Sequence, residues 1–261
     1  MAGEHSVQYA LIDLGNTTVK IWHPPDHTTT IAYTEQWAVV VCNHLTRLSP
    51  SLIALASVVP HHTLELEQQC RQHSLPLLIL SPEMVATHSP IRWSKVSGMG
   101  IDRMLQLVGA VTLGGAPAIA VGAGTAITLT ATDADFQCIG GAILPGIHLQ
   151  LECLHHRTAQ LPGVSAQIPP TPYGANPTTA IQAGVLYGTA GALRHLIGEL
   201  QHLIASPDTP APVYLTGGDA PLLQQLLPDM PWKHSPNLLF IGIHALLQRM
   251  GKLQATTPPP P

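Results

Sequence analysis

The segment LIDLGNTTVK, residues 11–20, is matched in the middle of the chain by a second segment of the same design, AVGAGTAITL, residues 120–129. Each is an apolar run that enters a turn of small residues and continues as an alternating, Thr-rich run. This pattern predicts a strand, a tight turn and a second strand. Glycine lets a ligand approach such a turn closely, and hydroxyls and amides there can donate to phosphate oxygens. The duplication therefore predicts two similar lobes that grip one nucleotide between them.

Length and composition exclude several other classes of protein. The chain has 261 residues, enough for two lobes. Only 10% of the residues are charged and 4% are aromatic, with a formal net charge of −4. Because a basic stripe and an aromatic platform are both missing, we do not expect the chain to bind nucleic acid. The most apolar stretch, residues 104–131, is interrupted by Gly114, Gly115 and Pro117. It is therefore predicted to form a buried helix and strand, not a membrane span.

Cysteine and histidine usage bears on compartment and on metal binding. The four cysteines are widely spaced without a C-x-x-C pair, and the N-terminus has no secretory pattern. A reduced, cytoplasmic setting is the simpler interpretation. The 15 histidines include no H-E-x-x-H motif and no matching Cys/His spacing. We therefore do not expect a structural metal site.

The order of predicted elements repeats between the halves. The first lobe, residues 1–115, is predicted as β-β-β-α-β-α-β, with a loop at 91–100 and a helix at 102–113. The second lobe, residues 116–252, opens again with three strands and contains an amphipathic helix at 178–204. The sequence GGAP at 114–117 marks the boundary. The Pro-rich residues 253–261 are predicted to be disordered.

Asp13 leaves the first predicted strand just before the turn, where its carboxylate would face bound phosphates. Two negative groups repel each other unless Mg²⁺ is held between them. Asn16, Thr17 and Thr18 would then supply neutral donors. An ordinary β-turn explains the same residues, but the second copy of the motif weighs against that alternative.

Asp102 and Arg103 follow Gly100 at the start of a predicted helix. Helix N-termini favour carboxylates and bind anions through free amides. Asp102 is therefore a candidate to accept a proton from an attacking hydroxyl, and Arg103 a candidate to hold an anionic group. A capping Asp beside a solvated Arg is the alternative. The sequence GGD at 217–219 offers bare backbone to a flat adenine ring, although many ligand-free αβ loops have the same sequence.

Five motifs occur in a fixed order. They are D-x-G-N-T at 13–17, G-x-D-R at 100–103, G-T-A-I-T at 124–128, G-G-A-I-x-P-G at 140–146 and T-G-G-D at 216–219. With them the chain resembles the type III pantothenate kinases of the actin, hexokinase and acetate kinase superfamily, from about residue 7 to 250. The resemblance implies an α/β fold of two ribonuclease-H-like, actin-like ATPase lobes with an interlobe nucleotide cleft. It also implies a homodimer and ATP-dependent phosphorylation of pantothenate, the first step of coenzyme A biosynthesis.

The resemblance further implies roles for individual residues. The ATP site would comprise Asp13, Leu14, Gly15, Asn16, Thr17, Thr18, Val19, Lys20 and Thr125. The pantothenate site would comprise Trp93, Gly100, Ile101, Asp102, Arg103 and Thr178. Asp102 would be the general base, and Asp13 would hold Mg²⁺ through ATP. A monovalent cation, K⁺ or NH₄⁺, is a further expectation from the family.

Three positions depart from the family pattern. Gly122 stands where the family usually has the Asp that binds the monovalent cation, which leaves dependence on K⁺ open. Trp93 replaces a Tyr of the substrate pocket and brings an indole donor instead of a hydroxyl. The Thr that contacts substrate falls by strict spacing on Pro177, with Thr178 adjacent.

Two alternative functions stay open at this point. One is a kinase of another small hydroxylated or carboxylic substrate, which would differ at Trp93 and around Thr178. The other is a catalytically weak or inactive family member that binds nucleotide or pantothenate and regulates a partner. Gly122 supports the second alternative, whereas the joint presence of Asp13 and Asp102 counts against it.

The homodimer that the resemblance implies has a candidate contact. Gly184, Gly188 and Gly191 predict that helix 178–204 lies at a two-fold contact.

Overall fold

The computed structural model describes residues 9–205, 210–254 and 258–261, which fall into two compact units. The first unit comprises Met1–Trp93, Ser97–Leu113 and Asn237–Pro261, and the second comprises Ser94–Val96 and Gly114–Pro236. In chain order the elements are β1 (Ala10–Leu14), β2 (Thr18–His23), β3 (His27–Ala32), α1 (Trp37–Leu48), β4 (Ile53–Ser57), α2 (Pro60–Gln72), β5 (Leu77–Ile79), α3 (Pro82–His88), α4 (Ile101–Gly114), β6 (Ala118–Ala123), β7 (Ala126–Thr132), β8 (Cys138–Pro145), α5 (Ile147–Arg157), α6 (Pro177–Ile204), β9 (Val213–Thr216), α7 (Ala220–Leu226), β10 (Trp232–His234) and α8 (Leu238–Arg249).

The sheet of the first unit has the strand order β3-β2-β1-β4-β5. The strands β1, β2 and β3 pair antiparallel, whereas β4 and β5 continue the sheet in parallel. Apolar residues of β1 and β4 are fully buried, because both strands lie inside the sheet. Helix α1 packs its Trp37, Val41 and Leu45 side chains into the same core.

The sheet of the second unit repeats this arrangement. Its order is β10-β9-β6-β7-β8, in which β6, β7 and β8 pair antiparallel and β9 and β10 continue in parallel. Three antiparallel strands followed by two parallel ones therefore occur twice in the chain. The predicted α/β fold with two ribonuclease-H-like lobes is confirmed.

Helix α6 is the longest helix in the described residues, and its start is well defined. Asn176 caps it, and Thr179 returns a hydrogen bond to the Asn176 backbone in a capping box with Pro177 at the first helical position. Its buried stripe includes Leu193 and Ile197. Near the end of the same helix, the Leu203 side chain is 70% exposed.

The last helix, α8, belongs to the first unit, whereas the sequence-based division assigned residues 238–250 to the second lobe. It packs against β1 and approaches α4 backbone to backbone. A Cβ on Gly109 would overlap the carbonyl of Leu238, and one on Gly242 would overlap the carbonyl of Leu105. Nothing in the periodicity of α8 could reveal which sheet it covers.

Other expectations differ in detail. Helices α3 and α7 and strand β10 were not predicted, since each is only three to seven residues long. Residues 255–257 of the Pro-rich tail lie outside the described residues, but the carbonyl of Pro260 accepts a hydrogen bond from Asn237 at 3.1 Å. All four cysteines are free thiols. Within the described part of the chain, the helices include none whose length and apolar character would let it cross a membrane.

Candidate active site

The turn between β1 and β2 confirms the predicted strand-turn-strand. The Gly15 amide donates to the Thr18 carbonyl at 3.1 Å and closes the turn. Asn16 and Thr17 are exposed at its tip, whereas Leu14 and Val19 are buried. Of the predicted ATP-binding residues, Leu14 and Val19 therefore offer a phosphate only their backbone.

Asp13 lies directly opposite Lys20 in the β1–β2 register. Burial raises the pKa of Asp13 from 3.8 to about 6. The charge of Lys20 opposes this change, and the charge of Asp102 adds to it. A carboxylate that is desolvated and has another carboxylate nearby is unfavourable when ionised, and a cation placed beside it would relieve both costs.

Asp102 lies in the first turn of α4, as predicted. The Gly100 carbonyl accepts the Met104 amide at 3.1 Å and begins the helix. A Cβ added at Gly100 would come within 2.6 Å of Asp102 Oδ1. The missing side chain at Gly100 therefore gives the Asp102 carboxylate its room. Ile101 is buried, and Arg103 is half-buried.

Two predicted substrate residues have defined surroundings. The Trp93 indole donates to Ser89 Oγ at 3.0 Å, so that its N–H is engaged within the first unit. Thr178 is exposed at the second position of α6, in the second unit. Its neighbour Thr179 is occupied by the capping box, which leaves Thr178 as the hydroxyl presented to solvent.

In the second unit, three loops meet at the turn between β6 and β7. The Gly124 amide closes the turn on the Ala126 carbonyl at 3.1 Å, and Thr125 is exposed. The amide of Gly146, which caps α5, donates to the Thr125 carbonyl at 2.9 Å. From the loop after β9, the Asp219 amide donates to the Ala123 carbonyl at 3.1 Å.

The backbone of Gly217 makes this convergence possible. Its φ is +103°, and a Cβ there would overlap the backbone of Ala123. Only glycine satisfies both conditions without strain. The predicted T-G-G-D motif thus packs directly on the β6–β7 turn, and its glycines are required by that contact whether or not a ligand is present.

Asp219 and His148 form a pair that the sequence did not reveal. His148 Nε2 lies 3.3 Å from Asp219 Oδ1. Burial raises the pKa of Asp219, and His148 opposes that change. No spacing rule connects a residue in the first turn of α5 with a loop some seventy positions later, so only the fold could show the pair.

Gly122 occupies the position in β6 that Asp13 occupies in β1. Each residue lies two positions before the glycine whose amide closes its turn. Gly122 is paired with Thr128 on β7 and Thr216 on β9, and both threonines are buried. The second turn therefore has no side chain where the first has a carboxylate, and a buried Thr128 hydroxyl where the first has Lys20. Among the described residues, no group of three or more His, Cys, Asp or Glu could hold a metal ion by itself.

Tyr33 is a further residue at the first turn that the sequence did not single out. It follows β3, and its hydroxyl donates to the Gly15 carbonyl at 2.6 Å. Burial, followed by the charge of Asp13, raises the pKa of Tyr33 to about 12, so the hydroxyl keeps its proton at neutral pH. Because Tyr33 lies 18 residues from Gly15 in the sequence, no local pattern predicts this contact.

Comparisons with known proteins agree with this geometry. The type III pantothenate kinase family model matches residues 10–199. A type III pantothenate kinase of Synechococcus elongatus is 39% identical over 204 residues, which is 76% of this chain and 75% of the relative. One from Thermobifida fusca is 34% identical over 222 residues, 82% of this chain and 85% of the relative.

Among solved structures, a Baf family protein from Campylobacter jejuni superposes with a TM-score of 0.63 at 20% identity, covering 94% of this chain and all of that one. A Sinorhizobium meliloti protein named as a 2-dehydro-3-deoxygalactonokinase superposes with a TM-score of 0.56 at 15% identity, covering 95% of this chain and 98% of that one. These two structures share the fold. From the match of the family model and the identity to curated relatives, the chain belongs to the type III pantothenate kinase family.

Proposed function

We propose that this protein transfers the γ-phosphoryl group of ATP to pantothenate and so catalyses the first step of coenzyme A biosynthesis. The observation that carries the proposal is that Asp13 and Asp102 belong to one unit and lie near enough for the charge of Asp102 to add to the rise in the pKa of Asp13. One carboxylate stands at a phosphate-type turn and the other at a helix N-terminus. Phosphoryl transfer needs a charge-neutralised phosphate and a base for the attacking hydroxyl, and the two residues suit these tasks.

Asp13 would hold Mg²⁺ bound to the ATP phosphates. The raised pKa of Asp13 fits this role, because a desolvated carboxylate that Lys20 compensates only in part gains from a nearby cation. Since Mg²⁺ keeps several waters and uses few protein carboxylates in such sites, a larger cluster is not required. When bound, the ion would neutralise charge on the phosphates. The exposed turn residues Asn16 and Thr17 would donate to the phosphate oxygens.

Asp102 would accept the proton of the pantothenate hydroxyl. It lies in the first turn of α4, and the missing side chain of Gly100 leaves space beside its carboxylate. Arg103 would hold the carboxylate of pantothenate or the transferring group. Gly100, Ile101, Trp93 and Thr178 complete the proposed substrate site.

The β6–β7 turn of the second unit would contact the nucleotide through Thr125, and the bare backbone at Gly217 and Gly218 would lie along the adenine. Support comes from the convergence of the three loops on this turn. Gly122 supplies no carboxylate for a monovalent cation, so any K⁺ or NH₄⁺ would be held by hydroxyls and carbonyls.

We also propose that the protein is a homodimer and that it is located in the cytoplasm. The exposed glycines of α6 and the four free thiols support these two statements respectively.

A coupled assay that follows ADP release tests the proposal, with pantothenate as acceptor and with or without K⁺ or NH₄⁺. We expect turnover that depends on both pantothenate and Mg²⁺. Turnover only with another small hydroxylated acid would replace the substrate. Binding of ATP and pantothenate without turnover under any of these conditions would favour a regulatory role, which the retention of both carboxylates opposes.

A further inference from the structure

We infer that Tyr33 is a positioning residue for ATP, because its hydroxyl fixes the orientation of the Gly15–Asn16 peptide in the phosphate turn. The inference rests on the proposed role of this turn in nucleotide binding. Tyr33 touches no reacting atom in the proposal and would act through the backbone.

The contact joins two segments that are far apart in sequence. The Tyr33 hydroxyl donates to the Gly15 carbonyl at 2.6 Å, on the turn that connects β1 to β2. The Gly15 amide is already used, since it donates to the Thr18 carbonyl at 3.1 Å. On the other side, the Val58 amide donates to the Leu14 carbonyl at 3.3 Å. Both peptide planes that flank Gly15 therefore have a fixed carbonyl.

Fixing the Gly15 carbonyl also fixes the next amide. A trans peptide is planar, and its C=O and N–H point in opposite directions. With the carbonyl aimed at Tyr33, the Asn16 N–H must point away from it. Asn16 is exposed at the tip of the turn, and its amide, directed away from Tyr33, is the donor that the inference assigns to the phosphate. Donors whose orientation is set before binding stabilise a phosphate without the cost of ordering the turn.

The Tyr33 ring is itself held in place. It stacks on the His62 ring with centroids 4.1 Å apart and an interplanar angle of 24°, and it meets the Trp37 ring edge-on at 5.1 Å. The Trp37 indole donates to Glu65 Oε2 at 3.0 Å. These contacts tie the ring to helices α1 and α2. Aromatic packing of this kind is rigid, so the hydroxyl has little freedom to leave Gly15.

Tyr33→Phe separates the hydroxyl from the ring, because phenylalanine keeps the contacts with His62 and Trp37. The control is Tyr187→Phe, which removes a similar bond from a Tyr hydroxyl to the Pro169 carbonyl at 3.0 Å in the second unit. Each full-length variant would be titrated with Mg-ATP alone and, separately, with pantothenate alone by calorimetry. Steady-state KM and kcat and the melting temperature would be measured alongside.

For Tyr33→Phe we expect the Kd for Mg-ATP and the KM for ATP to rise about three- to tenfold, because the net contribution of one hydrogen bond is lost. The affinity for pantothenate and kcat should stay within about twofold of the wild-type values, because Tyr33 contacts neither pantothenate nor a reacting atom. Tyr187→Phe should leave Mg-ATP binding unchanged.

Three outcomes would overturn the inference: unchanged Mg-ATP affinity in Tyr33→Phe, an equal loss of pantothenate affinity, or an equal loss of Mg-ATP affinity in Tyr187→Phe. Failure of the proposed function looks different. In that case the wild type binds Mg-ATP without phosphorylating pantothenate, and the Mg-ATP titration of Tyr33→Phe still decides the role of the tyrosine. A wild type that binds no Mg-ATP would overturn both.

Discussion

The carboxylate of Asp102 lies near enough to Asp13 for its charge to raise the pKa of Asp13, although the two residues belong to widely separated motifs. One comes from the end of β1 and the other from the first turn of α4. Two carboxylates in one site destabilise each other when both are ionised. Such an arrangement persists where a bound cation and substrate compensate it, as they would in the proposed kinase.

Asp102→Asn should leave the fold and most Mg-ATP binding intact and lower kcat by about 10²–10⁴-fold, as removal of a general base typically does. The substitution is nearly isosteric and keeps the space provided by Gly100. Steady-state kinetics with calorimetry of Mg-ATP would measure both effects. If Asp102→Asn turns over at close to the wild-type rate, another group is the base.

Asp13→Asn should make the ligand-free protein more stable above pH 6 while removing its use of Mg-ATP. The pKa of Asp13 is raised from 3.8 to about 6, so between these values the folded protein keeps a proton that the unfolded chain has lost. The protonated Asp13 carboxyl therefore makes its full contribution to the free energy of unfolding below about pH 4, and this contribution is lost as the pH rises through about 6. The difference between the two pKa values corresponds to at most about 3 kcal/mol.

Chemical denaturation of the wild type and Asp13→Asn at pH 4 to 8, without metal or nucleotide, would measure this. We expect the stability advantage of Asp13→Asn to shrink toward zero on acidification. A difference that does not vary with pH would show that the Asp13 carboxyl is not desolvated in solution. Pantothenate binding by Asp13→Asn should change far less than Mg-ATP binding.

Gly217→Ala should destabilise the protein by about 2–4 kcal/mol, because the alanine would need both a positive φ and space taken by the Ala123 backbone. Gly218→Ala is the matched control, since nothing lies within 4 Å of a Cβ at that position. Thermal unfolding of both variants compares them directly. Equal melting temperatures for the two variants would contradict the described packing of this loop on the β6–β7 turn.

Gly122→Asp should create or strengthen activation by K⁺, if the carboxylate is the decisive ligand for a monovalent cation. Without the cation, an added carboxylate at a phosphate site is repulsive, so Gly122→Asp should be poorer than the wild type in K⁺-free buffer. Rates in Na⁺ and K⁺ buffers, after a melting check, test this. Strong K⁺ activation of the wild type would show that hydroxyls or carbonyls suffice.

Gly188→Arg should convert a dimer into a monomer without unfolding the chain. Gly188 is exposed on α6, and a Cβ there meets nothing within 4 Å. A bulky charge would therefore be tolerated in a single chain but not in a close helix–helix contact. Light scattering at micromolar concentration measures the mass. A fully active wild-type monomer would remove the dimer from the proposal.

Much of the fold was predictable because its signals are local. The turns at Gly15 and Gly124, the hairpins around them and the start of α4 follow from periodicity and glycine placement. The residues that sequence reasoning missed act across long separations. Tyr33 and His148 sit in ordinary sequence, and only strand pairing brings them to Gly15 and Asp219. The same applies to α8, whose apolar residues suit either sheet.

The close contact of α8 with α4 also has a consequence for biosynthesis. Ten consecutive residues of α8, from Leu238 to Leu247, are buried, and they complete a unit whose first strand is made from Ala10 onward. During synthesis on the ribosome, the segment from β1 to α4 is made before the second unit, and α8 is made after it. The apolar surface that α8 covers therefore stays exposed until the whole second unit has been synthesised. The second unit, by contrast, consists of the continuous segment Gly114–Pro236 and only three further residues, Ser94–Val96. We expect it to fold first, and any truncation within α8 to leave the Asp13–Asp102 unit with an exposed apolar face.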